Sequence, residues 1–235
     1  PADGKEYFLT LRAFTKNEAP LIPKGHEAAI EQWALPSVPA AKAIQPANGK
    51  LTVDRNSDAI TLTGNNFRIA FSAQSGEMTA LSYNGKNLIK EGLQPNFWRP
   101  PTDNDIPNGH LYRCLTWKTA GQDAKLEHLN ITENQQKVTL TATYKMEAQD
   151  SKLQTIYDIH PDGAVRVSMH FTPGKQALNE MPRLGMRMIL PAEYERMSWL
   201  GRGPQENYAD GSIGRTVQRD GLGTVSSVCA CSGNS

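Results

Sequence analysis

Apolar and polar residues alternate along most of the chain, and this alternation predicts β-strands. It is clearest at residues 6–14, 59–63, 67–71 and 137–144, where Thr, Val, Ile, Leu, Phe and Tyr are frequent. Successive side chains of a strand point to opposite faces of a sheet, so a period of two indicates strands with one buried face. The pattern therefore predicts an all-β protein built from antiparallel sheets.

Turn residues separate these segments at short intervals. Asn84-Gly85 lies between two strand-like runs and predicts a two-residue hairpin, and Pro161-Asp162-Gly163 predicts another between 153–160 and 164–171. The best helix candidate, near 111–120, is short and lacks a clean N-terminal cap. Strands spaced this closely favour a β-sandwich.

A proline-rich stretch at 36–58 divides the chain and predicts a domain boundary. We expect residues 1–45 to be the C-terminal strands of one β-sandwich with a linker, because 35 residues cannot bury a core alone. Residues 46–235 then form a second, larger domain. The chain has no starting Met and begins inside a strand-like run, so we expect it to be a fragment of a longer protein.

Composition excludes several classes of partner. The 25 basic and 24 acidic residues are spread along the chain and give a net charge of +1, which predicts no nucleic-acid partner. No apolar run approaches a membrane span, so no membrane partner is expected. The three cysteines do not predict a disulfide framework, because two of them are only two positions apart.

The stretch FWRPPTDNDIPNG at 97–109 gathers aromatic, charged and amide side chains on a segment stiffened by three prolines. Arginine donors and carboxylate acceptors suit the hydroxyl groups of a sugar. The candidate carbohydrate-binding residues of this loop are Trp98, Arg99, Asp103, Asn104 and Asp105. In the alternative that we favour, Arg99 pairs with one of the aspartates and Asn104 caps the loop backbone, because most buried polar groups bond to their neighbours.

Other sites are not supported by the motifs. Asp103-Asn104-Asp105 lacks the remaining ligands of a calcium loop, and the five histidines lack zinc spacing, so no metal site is predicted. The glycines of GRGPQENY at 201–208 imitate a dinucleotide loop, but the third glycine position is Glu206 and no strand–turn–helix context is expected. We expect this segment to form a tight turn; in a second interpretation Arg202 and Glu206 face a sugar-binding cleft.

Three segments in fixed order resemble a known family. GHEAAIEQWALP at 25–36, FWRPPTDNDIPNG at 97–109 and WLGRGPQENYADG at 199–211 together resemble the C-terminal part of a glycoside hydrolase family 2 β-galactosidase. Residues 1–45 are similar to the last strands of the immunoglobulin-like β-sandwich that follows the catalytic barrel. Residues 46–235 are similar to the small-chain domain, an antiparallel β-supersandwich related to galactose mutarotases. The resemblance weakens from Arg219 onward, so we expect this domain to be incomplete at its C-terminal end.

The resemblance implies a retaining enzyme that hydrolyses terminal non-reducing β-D-galactose residues. Both catalytic glutamates of the family lie in the barrel, so no catalytic residue is expected in this chain, which alone should be inactive and contribute scaffold and active-site wall. No cofactor is expected here, since the family often uses Mg²⁺ and Na⁺ at sites on other domains. The implied partners are a galactoside bound by the full-length enzyme and the missing domains. The parent is expected in the cytoplasm or periplasm.

Two alternatives from other classes remain. The chain could be a stand-alone carbohydrate-binding module, in which Trp98 faces the ligand while Trp33 and Trp199 fill the core. It could also be a mutarotase-like sugar epimerase, with His160 or His170 acting beside Asp158 or Glu180. In either case open strand edges should favour a homo-oligomer or other self-association.

Overall fold

A computed structural model of the chain describes residues 7–36, 49–147, 150–174 and 179–195, together with the backbone of three strands at 197–203, 216–222 and 228–230. It divides into two compact units. Unit 1 comprises Pro1–Gln45 and Glu195–Val225, and unit 2 comprises Pro46–Tyr194 and Ser226–Ser235. The domain boundaries predicted at 45 and 46 stay a prediction for the longer protein.

Unit 1 contains two antiparallel strand pairs. Strand β1 (Phe8–Phe14) pairs with β2 (Glu27–Ala34), and β14 (Met197–Gly203) pairs with β15 (Thr216–Leu222). Trp33 lies on β2 opposite Leu9 and is 45% exposed. The prediction that Trp33 fills a core is therefore wrong for the described residues, because almost half of its surface remains exposed on the β1–β2 pair.

Unit 2 contains three antiparallel sheets. A five-stranded sheet runs in the order β3-β4-β5-β6-β7, a four-stranded sheet in the order β12-β11-β10-β9, and a three-stranded sheet in the order β16-β13-β8. Their bounds are β3 Thr52–Arg55, β4 Ala59–Thr63, β5 Phe67–Ser72, β6 Met78–Tyr83, β7 Lys86–Asn87, β8 Glu91–Asn96, β9 Lys125–Glu133, β10 Val138–Met146, β11 Ser151–Ile159, β12 Val165–Thr172, β13 Gly185–Ile189 and β16 Val228–Ala230. The predicted all-β, antiparallel sandwich fold is confirmed.

The two predicted hairpins form as expected. Asn84 and Gly85 both have positive φ angles, 50° and 75°, and connect β6 to β7. Positive φ at both central residues is the geometry of a two-residue hairpin turn that matches strand twist. Gly163 (φ 88°) lies in the turn between β11 and β12. Turn chemistry therefore sets the register of both hairpins.

The core of unit 2 lies between the inner faces of its sheets. In both β10 and β11 every second residue is buried, and the residues between them are half-buried except for one exposed lysine in each strand, Lys145 and Lys152. Their inner residues pack with those of β4, β5 and β6 into one apolar cluster. Phe71 meets Tyr157 edge to face across this core, with ring centroids 4.9 Å apart.

Two short helical segments follow the proline-rich loop. Helix α1 (His110–Arg113) runs into a single 3-10 turn, Leu115–Trp117, within the predicted region 111–120. Gly109 caps α1 with φ 74° and without a side-chain bond. Trp117 is buried and packs against Phe97 at 5.9 Å and Phe171 at 5.7 Å between ring centroids. Phe97 at the start of the loop and Trp117 in the 3-10 turn that follows it thus belong to one aromatic cluster.

Candidate functional site

An ion pair closes the loop at 97–109. The Arg99 guanidinium donates to both carboxylate oxygens of Asp105, with Nη1–Oδ2 at 2.5 Å and Nη2–Oδ1 at 3.2 Å. The backbone N–H of Thr102 also donates to Asp105 Oδ2 at 2.7 Å. Two parallel charge-assisted bonds fix the orientation of both groups. The structure thus agrees with the favoured alternative, in which Arg99 pairs with an aspartate of its own loop.

Asp105 is buried, with 7% of its surface exposed. The bond from Arg99 is the main cause that holds the pKa of this carboxyl well below its usual range, and the bond from the Thr102 N–H acts in the same direction. Burial opposes this shift, but the two bonds dominate. Asp105 therefore stays ionised and organises the loop from inside.

Asp103 and Asn104 lie outside this closed pair and are exposed. Asp103 Oδ1 accepts a bond from the backbone N–H of Asn104 at 3.0 Å. Asn108 Oδ1 accepts from the backbone N–H of His110 at 2.9 Å. The backbone caps that the structure gives in this loop come from Asp103, Asp105 and Asn108, whereas the sequence pointed to Asn104.

Trp98 is half-buried and packs against the edge of the core. Its backbone N–H donates to Asn96 Oδ1 at 3.2 Å, so the chain turns at the end of β8. Trp98 belongs to the same loop as the exposed residues Asp103 and Asn104, and its contact with a sugar stays a prediction. Carbohydrate binding by the five loop residues stays a prediction.

His110 is a buried neighbour of the ion pair that sequence reasoning missed. It is 9% exposed, and its Nδ1 lies 4.0 Å from Asp105 Oδ1. Among the described residues this nitrogen has no hydrogen-bond partner. No motif surrounds His110 in the sequence. The one signal that could have predicted its position near Asp105 is the turn-forming pair Asn108-Gly109 that precedes it.

A second set of contacts holds helix α1 to the segment at 179–180. Asn179 Nδ2 donates to the carbonyl of Arg113 at 2.6 Å, and Trp117 Nε1 donates to the carbonyl of Asn179 at 3.2 Å. Arg113 Nη2 donates to Glu180 Oε1 at 3.0 Å and, with Cys114, lowers the pKa of Glu180 to about 2. Burial raises the pKa of Cys114, which is fully buried. These bonds join residues more than 60 positions apart, so no local pattern in the sequence could have predicted them.

The acid–base pairs considered for an epimerase receive no support among the described residues. Asp158 is held by Lys137 Nζ at 2.7 Å and by the Thr139 hydroxyl at 2.6 Å, and Glu180 is held by Arg113. Both carboxylates therefore accept their hydrogen bonds from groups other than His160 or His170, and His160 contributes to the lowered pKa of Asp158 only through its charge, as the smallest of the causes.

Arg202 lies next to the end of β14, opposite Val217 in the register of β14 and β15. Its side chain and the whole of Glu206 lie outside the described residues, as does the side chain of Trp199. The tight turn expected at 201–208 is wrong for Gly201–Gly203, which continue strand β14 paired with β15, and the rest of that segment lies outside the described residues. The prediction that Arg202 and Glu206 face a sugar cleft therefore stays a prediction.

The described part of the chain offers neither a cluster of metal ligands nor a membrane-spanning helix. No group of three or more His, Cys, Asp or Glu residues within it is arranged to hold a metal ion. None of its helices has the length and apolar character needed to cross a membrane.

Comparison with known proteins identifies the family. The model of the family described as "Beta galactosidase small chain" matches residues 63–219, which is more than half of the chain. The chain belongs to this family. The match includes the whole of the 97–109 loop and the aromatic residues Phe97, Trp117 and Phe171.

Several curated relatives of this chain are named β-galactosidase. The chain is 30% identical over 209 residues to the β-galactosidase of Priestia megaterium and 31% identical over 215 residues to that of Halalkalibacterium halodurans. These alignments cover 89% and 90% of this chain but only 20% and 21% of the relatives. The β-galactosidase of Clostridium acetobutylicum is 33% identical over 70% of the chain. The chain thus spans about a fifth of the length of the curated relatives that it matches.

Proposed function

We propose that this chain is the C-terminal, non-catalytic portion of a β-galactosidase. The parent enzyme would hydrolyse terminal non-reducing β-D-galactose residues by a retaining mechanism, which requires two carboxyl groups about 5–5.5 Å apart on its barrel. The observation that carries the proposal is the alignment of nine-tenths of this chain with only a fifth of proteins named β-galactosidase. A segment of that extent leaves ample chain for a separate catalytic domain.

Within the parent, the 97–109 loop is suited to form part of the active-site wall. The Arg99–Asp105 pair and the Trp117 cluster hold the loop rigid from inside. Asp103 and Asn104 are exposed, and their carboxylate and amide groups can form hydrogen bonds with the hydroxyl groups of a sugar. The nearby apolar side chains Ile106 and Tyr112 are 60% and 85% exposed, which suits contact with another domain.

An activity assay on the purified 235-residue chain tests this proposal. We expect no hydrolysis of a chromogenic β-galactoside above buffer, because the catalytic glutamates belong to the absent barrel. The full-length β-galactosidase of Priestia megaterium, assayed in parallel, verifies the substrate and conditions. Turnover by the isolated chain that survives further purification would disprove the proposal.

A second candidate function is carbohydrate binding by the isolated chain. It is favoured by one observation: the loop that contains half-buried Trp98 also exposes Asp103 and Asn104. Galactose would then quench or shift the tryptophan fluorescence in a saturable way, and Trp98→Ala or Asp103→Ala would abolish the response. Trp33→Ala, which removes an exposed tryptophan of unit 1, is the matched control and should retain it.

A further inference from the structure

Two Asn-Gly pairs lie in the described part of unit 2, Asn84-Gly85 in the hairpin between β6 and β7 and Asn108-Gly109 just before helix α1. In such a pair the glycine nitrogen can reach the side-chain amide of the asparagine, because glycine has no side chain to hinder the approach. Both asparagines are exposed. The dipeptide sequence makes the two pairs equivalent, so only their surroundings can distinguish them.

The reaction open to such a pair is deamidation, and it consumes only water. The glycine nitrogen forms a bond to the asparagine Cγ and loses its proton, while the Cγ–Nδ2 bond breaks and Nδ2 leaves with that proton as ammonia. The product is a five-membered succinimide. Water then opens the ring: attack at the backbone carbonyl carbon gives isoaspartate, and attack at the side-chain carbonyl carbon gives aspartate.

The peptide bond between Asn84 and Gly85 is not held by hydrogen bonds. Neither the side chain and carbonyl of Asn84 nor the N–H of Gly85 has a hydrogen-bond partner among the residues that the structure describes. The backbone N–H of Asn84 donates to the Asn66 carbonyl at 2.6 Å, but this nitrogen takes no part in ring closure. A Cβ atom placed on Gly85 would have nothing within 4 Å. The reacting atoms are therefore free to approach one another.

The peptide bond between Asn108 and Gly109 is held by several contacts. Asn108 Oδ1 accepts a bond from the backbone N–H of His110 at 2.9 Å. The Asn108 carbonyl accepts a bond from the Arg113 guanidinium, and the Gly109 N–H donates to the Ile106 carbonyl at 3.2 Å. Rotation of this peptide plane toward the Asn108 side chain would break these bonds. Both the attacking nitrogen and the amide that it would attack are thus restrained.

Ring closure at Asn84 also requires the hairpin to open for a moment. Asn84 and Gly85 have φ angles of 50° and 75°, which close the turn, and Tyr83 pairs with Lys86 beside it. This pair is a small obstacle, because β7 has only two residues and lies at the edge of the five-stranded sheet. Such an edge opens locally at a free-energy cost far below that of global unfolding.

We propose that Asn84 deamidates spontaneously through a succinimide, while the contacts of Asn108 protect the same dipeptide in the 97–109 loop. The modified turn belongs to the five-stranded sheet, and its chemistry is independent of the proposed function.

The modification changes the hairpin in two ways. Isoaspartate carries the backbone through Cβ and so lengthens the connection; because a two-residue turn sets strand register, the pairing of Tyr83 with Lys86 should weaken. Both products also place a carboxylate in a surface groove that Arg68 lines as well. Lys86 Nζ, which lies 4.6 Å from the centre of the Tyr194 ring, should lose this contact when β7 shifts.

Incubation of the folded 235-residue chain at mildly alkaline pH, followed by digestion at acidic pH and tandem mass spectrometry, tests the proposal. Fragment ions locate each converted asparagine, and chromatography separates isoaspartate peptides from aspartate peptides. We expect conversion at Asn84 to be at least about fivefold faster than at Asn108, because hydrogen bonds must break first at Asn108. In urea, where these contacts are lost, the two rates should become similar.

Two variants separate the two sites. Asn84→Gln lengthens the side chain, which disfavours the five-membered ring, and should remove the conversion at position 84 without changing the rate at Asn108. Arg113→Leu removes a contact of the Asn108 carbonyl and should accelerate conversion at Asn108 without changing it at Asn84.

Conversion at Asn108 that is as fast as at Asn84 in the folded chain would overturn the proposal. So would a folded chain that keeps Asn84 intact while the chain in urea converts it, since the hairpin would then be protective. Formation of aspartate without isoaspartate would exclude the succinimide, and an unchanged rate at Asn108 in Arg113→Leu would contradict the protection assigned to its contacts.

Discussion

The β1–β2 pair of unit 1 and the β10–β11 pair of unit 2 share one sequence pattern but differ in burial. Both alternate apolar and polar residues and both are antiparallel. Leu140 and Leu153 of unit 2 are completely buried, whereas Leu11 and Trp33 of unit 1 are 56% and 45% exposed. Alternation therefore predicts that a strand has an apolar face, but a second layer decides whether that face becomes core.

The largest expected difference between the two units is the cost of removing a tryptophan. Trp117→Ala should lower the free energy of unfolding by about 3–5 kcal/mol, because Trp117 is buried among Phe97 and Phe171. Trp33→Ala, the matched change in unit 1, should cost less than about 1 kcal/mol. Urea unfolding followed by circular dichroism measures both. Equal costs would show that the β1–β2 face is as well packed as the core.

A glycine pair tests how closely the sheets of unit 2 approach. A Cβ at Gly92 would lie 1.9 Å from the Met78 carbonyl oxygen, while nothing lies within 4 Å of one at Gly85. Gly85→Ala should cost about 1–2 kcal/mol through its positive φ alone. Gly92→Ala should cost more, because two backbones must separate. Thermal unfolding of both variants decides the order, and the reverse order would contradict the packing of β6 against β8.

Acid should loosen the loop and its helical anchor before the sheets. The pKa of Asp105 and that of Glu180 are lower in the folded chain than their usual values near 4, so both carboxylates stabilise the fold above about pH 4. This stabilisation is lost as the pH falls from about 4 through the lowered pKa of each group, which is about 2 for Glu180. Arg113→Leu should reduce the fall in melting temperature between pH 4 and pH 2. An unchanged pH profile would mean that Arg113 and Glu180 do not interact in solution.

Arg99→Gln tests the loop locally at neutral pH. Without the guanidinium, Asp105 loses its main partner, and its bond to the Thr102 N–H should weaken. Hydrogen exchange at Thr102 should therefore accelerate, while exchange at β10 amides stays the same. Arg68→Gln, which changes an exposed arginine on β5, serves as the control. Protection of Thr102 that survives Arg99→Gln would show that the prolines alone order the loop.

The smallest structural effect is expected at the exposed face of β1 and β2. Leu9, Leu11 and Trp33 lie on one face of the pair, and such a patch favours self-association. Leu11→Lys should shift the chain toward monomer in sedimentation velocity with little change in unfolding free energy. A wild-type chain that is strictly monomeric at all concentrations would contradict this expectation.

Local chemistry explains what could be predicted from the sequence. Alternation placed the strands, positive-φ residues such as Asn84 and Gly85 placed a hairpin, and the short separation of Arg99 and Asp105 made their pairing foreseeable. Contacts between distant segments could not be predicted in this way. The bond of Arg113 to Glu180 spans 67 positions. The exposure of Trp33 depends on which layers meet, and periodicity carries no information about that.

The central claim is that this chain is one part of a larger galactoside-cleaving enzyme. A native gel of an extract from the cells that produce it, probed with an antibody against unit 2 and stained with a chromogenic β-galactoside, tests this claim most directly. The account predicts that antibody and stain coincide in one band, whose denatured polypeptide is several times longer than 235 residues. An antibody signal at the size of a 235-residue polypeptide, without galactoside staining, would contradict it.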